Sequence, residues 1–345
     1  MTSISGPALA PSARILVIRL RRFGDVLLLT PTLRAIRQAY PAARLDVLTL
    51  AGFDQVLINN PHIDRVLVLE HGMVSWLRAI ATCRAARYDA VLDLQSSPRS
   101  ALLVLTSGVR VRVGWEKLRP RDRIYNRLVP GWNDPIYVAR KFPRVAAVIG
   151  VPAPADVRLA LAVSEADRER AAALFTQAGI RSDRPIVAIS AAAKVRDKQW
   201  LPKRYAAVAD CLVRAHGAQL VLTAAADEVE QVRAVVARMQ ERPALWDYGA
   251  TTIQELAAMY ERCHVWIGND GGAKHIATAA GCPTVVIIRT GAERLWTDSA
   301  NDPDQIVVSA PTGLEQSDPV ATATVEQVCD AAAPFLHRRA GRDDG

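Results

Sequence analysis

A carboxylate beside two arginines is the first group in this sequence that is able to do chemistry. Asp25 follows Gly24 at the predicted start of a helix, with Arg21 and Arg22 just before it. Such a residue either caps the helix or serves as a general base that takes a proton from an acceptor hydroxyl. The helix start and either arginine would keep the carboxylate ionised. Asp25 is therefore the candidate catalytic residue, and Arg22 is a candidate contact for the acceptor.

A glycine-containing turn later in the chain is a candidate phosphate site. An apolar strand ends at Gly268, and His275 lies near the first turn of the next helix. The turn between them begins with Asn269, Asp270, Gly271 and Gly272. Glycines let a ligand approach the backbone, and the N–H groups and partial positive charge of a helix start suit a phosphate. The turn matches neither GxGxxG nor GxxxxGK[ST], so the same residues could equally turn and cap the chain without any ligand.

Two further loops carry charged residues after predicted strands. Lys194 and Lys198 lie in the sequence AAAKVRDKQW. They form either an exposed basic loop or a source of positive charge for a leaving diphosphate, with Trp200 packing below Lys198. Asp227 and Glu228 stand at a helix start, where they either cap it or bind ribose hydroxyls, as acids do in other doubly wound nucleotide sites.

The net charge of +8 is concentrated in one segment. Between Arg99 and Arg144 there are eleven Lys and Arg residues and three Asp and Glu residues, a difference of +8. The segment is either a solvated surface or a patch that faces anionic lipid or a phosphorylated acceptor, with Arg99, Arg121 and Arg123 as candidates for pairing with phosphate. Nucleic acid is the least favoured partner, because the segment contains no nucleic-acid-binding motif.

Cysteine, histidine and apolar patterns exclude several other classes. The five cysteines are scattered and never spaced CxxC, and the six histidines form no HxxxH or HxH pattern. We therefore expect a reducing compartment, no disulfide framework and no metal site. No uncharged apolar run reaches the roughly 18 residues that a membrane-spanning helix needs. Residues 1–13 lack the basic start and apolar centre of a signal peptide.

Short apolar strands alternate with helices along the chain, which predicts parallel sheets built from βαβ units. In the first half we predict strands at 14–20, 44–50, 65–69, 90–94 and 109–113, and helices at 26–40, 73–87 and 100–106. In the second half we predict strands at 186–190, 219–223, 264–268, 284–288 and 305–309, and helices at 202–215, 227–239, 252–262, 325–337 and between the glycine turn and Gly281. The halves join near residues 155–184.

The pattern thus predicts an α/β protein of two doubly wound, Rossmann-like domains, residues 1–160 and 161–345. The closing helix at about 325–337 could pack back on the first domain. In such folds ligands bind at the carboxyl ends of the strands. We therefore expect the loop at Asp25, the loop at 191–200 and the glycine turn to lie around one cleft between facing domains.

Five segments, in this order along the chain, resemble one family. Three lie in the first half: ILVIRLRRFGDVLLLTPTLRAIRQAYPAARLDVLT, YDAVLDLQSSPRSALLV and RVGWEKLRPRDRIYNRLV. In the second half, RDKQWLPKRY resembles a DKxWP loop, and GNDGGAKHIATAAGCPTVVI resembles a DTGxxHxxAAxxxPxVxxxG loop. Across about 14–310 the chain is therefore similar to the ADP-heptose:lipopolysaccharide heptosyltransferases, glycosyltransferase family 9, which have the GT-B fold.

The resemblance implies roles for the candidate residues. Asp25 matches the family's general base, and Lys198 matches its diphosphate-binding lysine. The residues that match its donor-phosphate loop are Asp270, Gly271, Gly272 and His275. The implied reaction is an inverting transfer that needs neither metal nor cofactor, because cationic side chains and helix N–H groups stabilise the departing diphosphate.

The sequence differs from the family pattern at three places. Gly271 stands where the family usually has Thr, which removes a hydroxyl that could touch phosphate. Ser96 follows Gln95 where the family has Gly. Arg289-Thr290-Gly291 replaces the usual [FY]GxT.

We therefore expect a monomeric, cytoplasmic enzyme, peripheral on the inner face of the membrane, that moves a heptose from ADP-heptose to the anionic core or lipid A of a lipopolysaccharide. One alternative is a GT-B enzyme with another nucleotide sugar or acceptor. Another is a non-catalytic protein that binds a nucleotide sugar or glycolipid. A nicotinamide oxidoreductase is disfavoured, because neither half begins with a GxGxxG turn.

Overall fold

The computed structural model describes residues 8–192, 199–249, 251–289, 291–309 and 323–338. The chain divides into two compact units, Met1–Ala162 and Val163–Gly345. Each unit contains one parallel β-sheet flanked by helices. The predicted α/β class with two doubly wound sheets is confirmed.

The first unit has a six-stranded sheet. All neighbours in it are parallel, in the order β3-β2-β1-β4-β5-β6. Its strands are β1 Arg14–Ile18, β2 Arg44–Leu50, β3 Arg65–Leu69, β4 Ala90–Asp93, β5 Val111–Trp115 and β6 Arg127–Val129. Its helices are α1 Phe23–Leu27, α2 Thr30–Ala39, α3 Met73–Ala86, α4 Pro98–Thr106, α5 Val138–Lys141 and α6 Pro143–Ala147, with 3₁₀ turns at Asp54–Leu57 and Pro120–Ile124.

Helices cover both faces of this sheet, which is why the central strand β1 is apolar from Ile15 to Ile18. Ile15, Leu16, Val17 and Ile18 of β1 are all buried. The chain moves outward from β1 to β3 and then in the opposite direction from β4 to β6. Right-handed crossovers therefore place α3 and α4 on one face and α2 on the other. In agreement, α3 contacts α4, whereas α2 contacts α5 and α6.

The second unit has a five-stranded parallel sheet in the order β8-β7-β9-β10-β11. Its strands are β7 Ile186–Ser190, β8 Gln219–Leu222, β9 Val265–Asn269, β10 Thr284–Ile288 and β11 Gln305–Ser309. Its helices are α7 Glu165–Gln177, α8 Pro202–His216, α9 Val229–Val236, α10 Ile253–Glu261, α11 Gly272–Ala279, α12 Glu293–Trp296 and α13 Val325–Ala332, with 3₁₀ turns at Ala226–Glu228 and Ala333–Phe335.

The predicted helix at 26–40 was wrong in its continuity, because α1 and α2 are separate helices. Pro31 lies at the start of α2, where its missing N–H leaves the carbonyl of Leu27 without the usual helical partner. The Thr30 hydroxyl donates to that carbonyl at 2.7 Å and accepts from the N–H of Ala160 at 3.0 Å. The break therefore has its hydrogen bonds satisfied.

The segment predicted as a join, 155–184, contains the helix α7. Its start is a capping box in which the Ser164 hydroxyl accepts from the N–H of Asp167, and the Asp167 carboxylate accepts from the N–H of Ser164. This signal was readable in the sequence. The other elements that were not predicted are β6, α5, α6 and α12, all of five residues or fewer.

The boundaries of three other elements differ from prediction. The strand predicted at 109–113 runs from Val111 to Trp115, and the helix predicted at 227–239 is a 3₁₀ turn followed by α9. The closing helix α13 ends at Ala332, because Pro334 cannot continue it. Val328 and Phe335 belong to the core of the second unit, where α13 packs against α8.

Candidate active site

Asp25 lies at the carboxyl end of β1, in the first turn of α1. Its carboxylate is buried and is held through a single oxygen. Oδ2 accepts from the Arg22 N–H at 2.9 Å and forms an ion pair with Arg19 Nη2 at 2.6 Å. Among the described residues no hydrogen bond is made to Oδ1. The carboxylate is thus oriented by one oxygen, and the other is available to accept a proton.

Arg19, rather than Arg21 or Arg22, is the cation that pairs with Asp25, which corrects the sequence-based expectation. Arg21 and Arg22 have exposed side chains, and Arg22 contributes only its backbone N–H to the carboxylate. Arg19 directly follows β1 and is buried. Its Nη1 donates to the carbonyl of Leu94 at 2.9 Å, and its guanidinium lies 5.1 Å from the centre of the Phe142 ring.

The turn after β4 lies beside this pair. Asp93 is fully buried; its Oδ1 accepts from the N–H groups of Gln95 and Ser96 at 2.9 and 2.8 Å, and its Oδ2 accepts from the Tyr125 hydroxyl at 2.6 Å. Burial raises the pKa of Asp93, and these hydrogen bonds oppose that rise. Gln95 Oε1 accepts from the N–H of Arg21 at 3.3 Å, which joins this turn to the loop that carries Asp25.

Ser96 has a φ of 43°, in the left-handed region that favours glycine. The family pattern has glycine at this position, and the structure shows what serine adds. Its hydroxyl donates to the carbonyl of Asp93 at 3.0 Å and accepts from the N–H of Trp115 at 2.9 Å. These two bonds help to offset the backbone strain and tie β4 to β5.

Two further cations converge on the same turn. Lys117 Nζ donates to the carbonyls of Gln95 at 3.0 Å and Ser96 at 3.4 Å, and it lies 3.5 Å from the centre of the Trp132 ring. Arg121 Nε donates to the Ser96 carbonyl at 3.2 Å. Burial lowers the pKa of Lys117 to about 8, with smaller effects from Asp93, which raises it, and from Arg121, which lowers it. Sequence reasoning missed Lys117, whose only signal was its place between Trp115 and the arginines.

Of the four arginines predicted to bind the acceptor, two are joined to this cluster by contacts. Arg22 bonds to Asp25 and Arg121 bonds to the turn after β4. Arg99 lies in the first turn of α4, which follows the same turn, and Arg123 lies in the 3₁₀ turn that contains Arg121. Both side chains are exposed. Their role in acceptor binding stays a prediction.

In the second unit, Asn269 organises the carboxyl end of β9. Its Oδ1 accepts from the N–H of Trp200 at 3.2 Å and from the Tyr205 hydroxyl at 2.8 Å, and its Nδ2 donates to the carbonyl of Ile287 at 3.3 Å. Trp200 is fully buried, and its indole N–H donates to the carbonyl of Ala323 at 3.2 Å. Asn269 therefore connects the end of the 191–200 loop to the glycine turn. Sequence reasoning did not single it out.

The glycine turn places the predicted donor-phosphate residues at the start of α11. Asp270 and His275 are buried, and Gly271 is the N-cap of α11. Gly271 has an extended backbone with a φ of −162°, and a Cβ added there would meet only the carbonyl oxygen of Asn269, at 3.9 Å. The backbone conformation and the space for a Cβ therefore do not require glycine at this position.

Gly272 begins α11, and buried Lys274 follows in its first turn. Lys274 Nζ donates to the carbonyl of Trp296, which ties α11 to α12. The lysine was not predicted as a site residue, and this bond gives it a structural role.

The remaining donor-site predictions have different outcomes. Lys194 and Lys198 lie outside the described residues. Asp227 and Glu228 follow β8, next to β7 in the sheet, so they share the edge at which the glycine turn lies. Glu228 Oε2 accepts from the N–H of Ala225 at 3.2 Å, which is the capping role. Asp227 is exposed, and its contact with ribose stays a prediction.

Two other features are absent from the described part of the chain. Within it, no group of three or more His, Cys, Asp or Glu side chains could hold a metal ion. No helix described in the structure is both long enough and apolar enough to cross a membrane.

The family model and the similar proteins described below indicate the same family. The model of glycosyltransferase family 9 (heptosyltransferase) matches residues 76–317, more than half of the chain. Lipopolysaccharide heptosyltransferase 3 of Escherichia coli is 25% identical over 298 residues, which cover 82% of this chain and 85% of that protein.

Two solved structures share the fold. The glycosyl transferase family 9 protein from Veillonella parvula DSM 2008 has a TM-score of 0.86 at 23% identity and covers 95% of this chain and 99% of its own. The E. coli ADP-heptose lps heptosyltransferase II has a TM-score of 0.76 at 22% identity and covers 94% of this chain and 98% of its own.

Proposed function

Because this chain belongs to glycosyltransferase family 9 and is a glycosyltransferase with the GT-B fold, we propose that it transfers a heptose from ADP-heptose to the core of a lipopolysaccharide acceptor. The donor and acceptor come from the names of its relatives, a lipopolysaccharide heptosyltransferase 3 and an ADP-heptose lps heptosyltransferase II. The proposal also includes inversion at the anomeric carbon and independence from metal ions.

The arrangement of Asp25 is the observation that supports this function most directly. A general base must be ionised, fixed in direction and able to reach a proton. Arg19 and the Arg22 N–H fix the carboxylate through Oδ2. In the proposed reaction Oδ1 takes the proton from the acceptor hydroxyl. The resulting oxygen attacks the anomeric carbon as the bond from that carbon to the diphosphate oxygen breaks, which inverts the configuration.

The second unit would bind the donor. The transition state resembles an oxocarbenium ion, and negative charge accumulates on the leaving diphosphate. The N–H groups at the start of α11, His275 and the predicted contribution of Lys198 would stabilise that charge. Asp227 is the candidate contact for the ribose. Because cationic and N–H donors serve the leaving group, the proposed reaction uses no metal and no resident cofactor.

The first unit would bind the acceptor. The positive side chains near Asp25 include Lys117 and Arg121, which lie at the turn after β4, and exposed Arg99 just beyond it. Phosphates or acidic sugars of a lipopolysaccharide would pair with such groups. We propose that the enzyme works as a peripheral protein at the cytoplasmic face of the inner membrane, where such an acceptor would be held.

Gly271 favours a second candidate, a GT-B enzyme that uses a different nucleotide sugar. Gly271 has no side chain where the family's threonine would stand, and a Cβ there would meet only the carbonyl oxygen of Asn269, at 3.9 Å. That space could accept a donor whose phosphate or sugar is positioned differently. The two candidates differ in the donor that supports turnover.

A donor panel with product analysis tests the proposal. The purified chain would be mixed with a heptose-deficient lipopolysaccharide core and, separately, with ADP-heptose and with ADP-, UDP- and GDP-hexoses. Release of the nucleoside diphosphate and the mass of the product would be measured, with and without EDTA, and the anomeric configuration would be assigned by NMR. We expect turnover with ADP-heptose only, unaffected by EDTA, with inversion. Turnover with another donor alone would favour the second candidate, and binding without turnover would refute both.

A further inference from the structure

Two neighbouring helices of the first unit expose large apolar side chains. The exposed fractions are 71% for Met73, 63% for Val74 and 57% for Leu77 on α3, and 47% for Leu102 and 55% for Leu105 on α4. Single exposed apolar residues are ordinary on a protein surface, but a group of them on adjacent elements is typical of an interaction site.

The spacing places these side chains on one outward face of each helix. On α3 the exposed residues Ala81 and Ala85 continue the line of Leu77 at intervals of four residues. On α4 Leu102 and Leu105 are three residues apart, so they also share a face. We call the outward surfaces of these two helices the α3–α4 face.

The two outward faces form one surface because the helices pack side by side. Cys83 of α3 and Leu103 of α4 belong to the same buried cluster against the sheet. Arg84 Nη1 of α3 donates to the carbonyl of Thr106, at the end of α4, at 3.4 Å. The inward side chains of the two helices thus pack in one buried cluster, and their outward side chains lie next to one another.

The charge of the α3–α4 face is positive without any carboxylate. The sequence contains no Asp or Glu from His71 to Tyr88 or from Leu94 to Trp115. The exposed cations in these two stretches are Arg78, Arg84, Arg87, Arg99 and Arg110. A partner for this surface must therefore offer both negative charge and an apolar phase.

A bilayer with anionic headgroups has both properties. Amphipathic helices that lie on membranes combine apolar side chains with arginines in this way, and each arginine near an anionic leaflet adds to the attraction. The side chains project from outward helix faces, which suits a soft lipid surface. In addition, α4 begins directly after the turn that holds Lys117 and Arg121, so one end of this face lies beside the candidate acceptor residues.

We propose that the α3–α4 face docks the enzyme on an anionic bilayer and so brings a membrane-held acceptor to the turn after β4. The identity of that acceptor rests on the proposed function, whereas the docking itself does not. The apolar residues at the start of α3 and on α4 enter the interface, and the arginines contact the headgroups.

Vesicle co-sedimentation of the full chain tests this docking. Vesicles of phosphatidylethanolamine and phosphatidylglycerol would be compared with vesicles of phosphatidylcholine alone. We expect binding to the first and little binding to the second. The variant Leu77→Gln/Leu102→Gln should reduce the affinity about tenfold or more, because it removes two apolar side chains from the interface. The variant Arg78→Gln/Arg84→Gln should reduce it by a similar factor, about fivefold for each arginine.

Matched controls exist on the other side of the same unit. Leu67 and Leu69 belong to the buried cluster on the side of α3, so the alternation of β3 points Val68 to the other face. Val68 is 43% exposed. Exposed Arg158 also lies on the side of α2, since Arg34 of α2 donates to its carbonyl at 3.2 Å. Val68→Thr and Arg158→Gln should bind vesicles like the parent. Thermal unfolding would check that every variant is folded, and if the double apolar variant is not, Leu77→Gln and Leu105→Gln alone decide.

The outcomes separate docking from catalysis. Transfer to a water-soluble core acceptor without lipid should be unchanged in the face variants. Parental vesicle binding by those variants would overturn the docking proposal and leave the proposed function intact. Light scattering could also show a dimer in the parent that is lost in the face variants while vesicle binding is unchanged. That result would overturn the docking proposal as well, because the face would then join two copies of the chain. Face-dependent vesicle binding by a chain that transfers no sugar would support docking and refute the proposed function.

Discussion

At the scale of single residues, Asp25 is the group on which the proposed reaction depends. Its Oδ2 is held by Arg19 and by the N–H of Arg22, and Oδ1 has no hydrogen bond among the described residues. We predict that Asp25→Asn lowers the turnover number about 10²- to 10⁴-fold, because the amide cannot accept the proton. The affinity for ADP, measured by calorimetry, should change little, since the proposed donor site lies in the other unit.

The exposed Asp89, at the amino end of β4, provides the control. Asp89→Asn removes a carboxylate from the same unit at the opposite edge of the sheet and should leave turnover near the parental rate. Parental turnover by Asp25→Asn would refute the assignment of the base.

Arg19 and Asp25 form a nearly buried ion pair, with side chains only 7% and 11% exposed. Removing one member of such a pair leaves the other charge buried and uncompensated. We therefore predict that Arg19→Met lowers the free energy of unfolding by about 3–5 kcal/mol, measured by urea denaturation. Arg19→Met/Asp25→Asn should recover most of that loss. If the double variant is as unstable as the sum of the two single variants, the pair is not coupled.

Lys117 makes stability depend on pH. Burial lowers its pKa from the usual 10.5 to about 8 in the folded chain. Between pH 8 and 10.5 the unfolded chain therefore holds a proton that the folded chain has released, so the free energy of unfolding rises with pH across this window. We predict that the parent gains at most about 3 kcal/mol over this range relative to Lys117→Met. Denaturation at several pH values measures the difference, with the exposed Lys203→Met as the matched control, and equal slopes for the parent and Lys117→Met would contradict it.

At the scale of elements, two glycines around β9 differ in what they require. A Cβ at Gly268 would lie 2.6 Å from the carbonyl oxygen of Ser190 on the neighbouring strand β7 and 2.7 Å from the Trp266 ring, whereas a Cβ at Gly271 would make only an ordinary contact of 3.9 Å with the carbonyl oxygen of Asn269. We predict that Gly268→Ala lowers the free energy of unfolding by about 1–3 kcal/mol through overpacking. Gly271→Ala should change it by less than about 0.5 kcal/mol.

Gly271→Thr is the third variant in this comparison. It restores the family's hydroxyl at the N-cap of α11, a position where threonine is also favourable for the helix. Chemical denaturation measures all three variants. An unstable Gly271→Ala, or a Gly268→Ala as stable as the parent, would show that the packing around β9 differs from the one described.

Elements with a strong local pattern were predictable, and short elements supported by distant contacts were not. The buried strands β1, β2, β7 and β10, of five to seven residues, could be located from their composition alone. The three-residue strand β6 has no such pattern, because it is held by its pairing with β5. The break between α1 and α2 also depends on Thr30, whose hydroxyl bonds both to Leu27 and to the distant Ala160.

At the scale of the whole molecule, binding of the donor's nucleotide should be visible in global stability. A ligand that binds only the native state raises its apparent stability by RT ln(1 + [L]/Kd), about 2.7 kcal/mol at a hundredfold excess over Kd. We predict that ADP raises the melting temperature of the full chain more than UDP or GDP does. Lys198→Ala should reduce this shift, because the resemblance assigns Lys198 to the diphosphate.

The exposed Lys203, in α8, gives the matched lysine control. Lys203→Ala should keep the parental shift with ADP. A shift with Lys198→Ala as large as the parent's would remove the diphosphate role from Lys198, and a larger shift with UDP or GDP would favour another donor.

The sequence by itself determined the α/β class, the positions of the main strands along the chain, the family and the candidate residues Asp25 and His275. These follow from apolar periodicity, glycine and proline positions and short motifs, which are properties of near neighbours in the chain. Only the tertiary structure decided that Arg19 is the partner of Asp25 and that Lys117 lies over Trp132. The direction of Arg19 is fixed by the carbonyl of Leu94 and the ring of Phe142. Both groups are distant from Arg19 in sequence: Leu94 reaches it because the sheet places β4 beside β1, and Phe142 lies still farther along the chain, between α5 and α6.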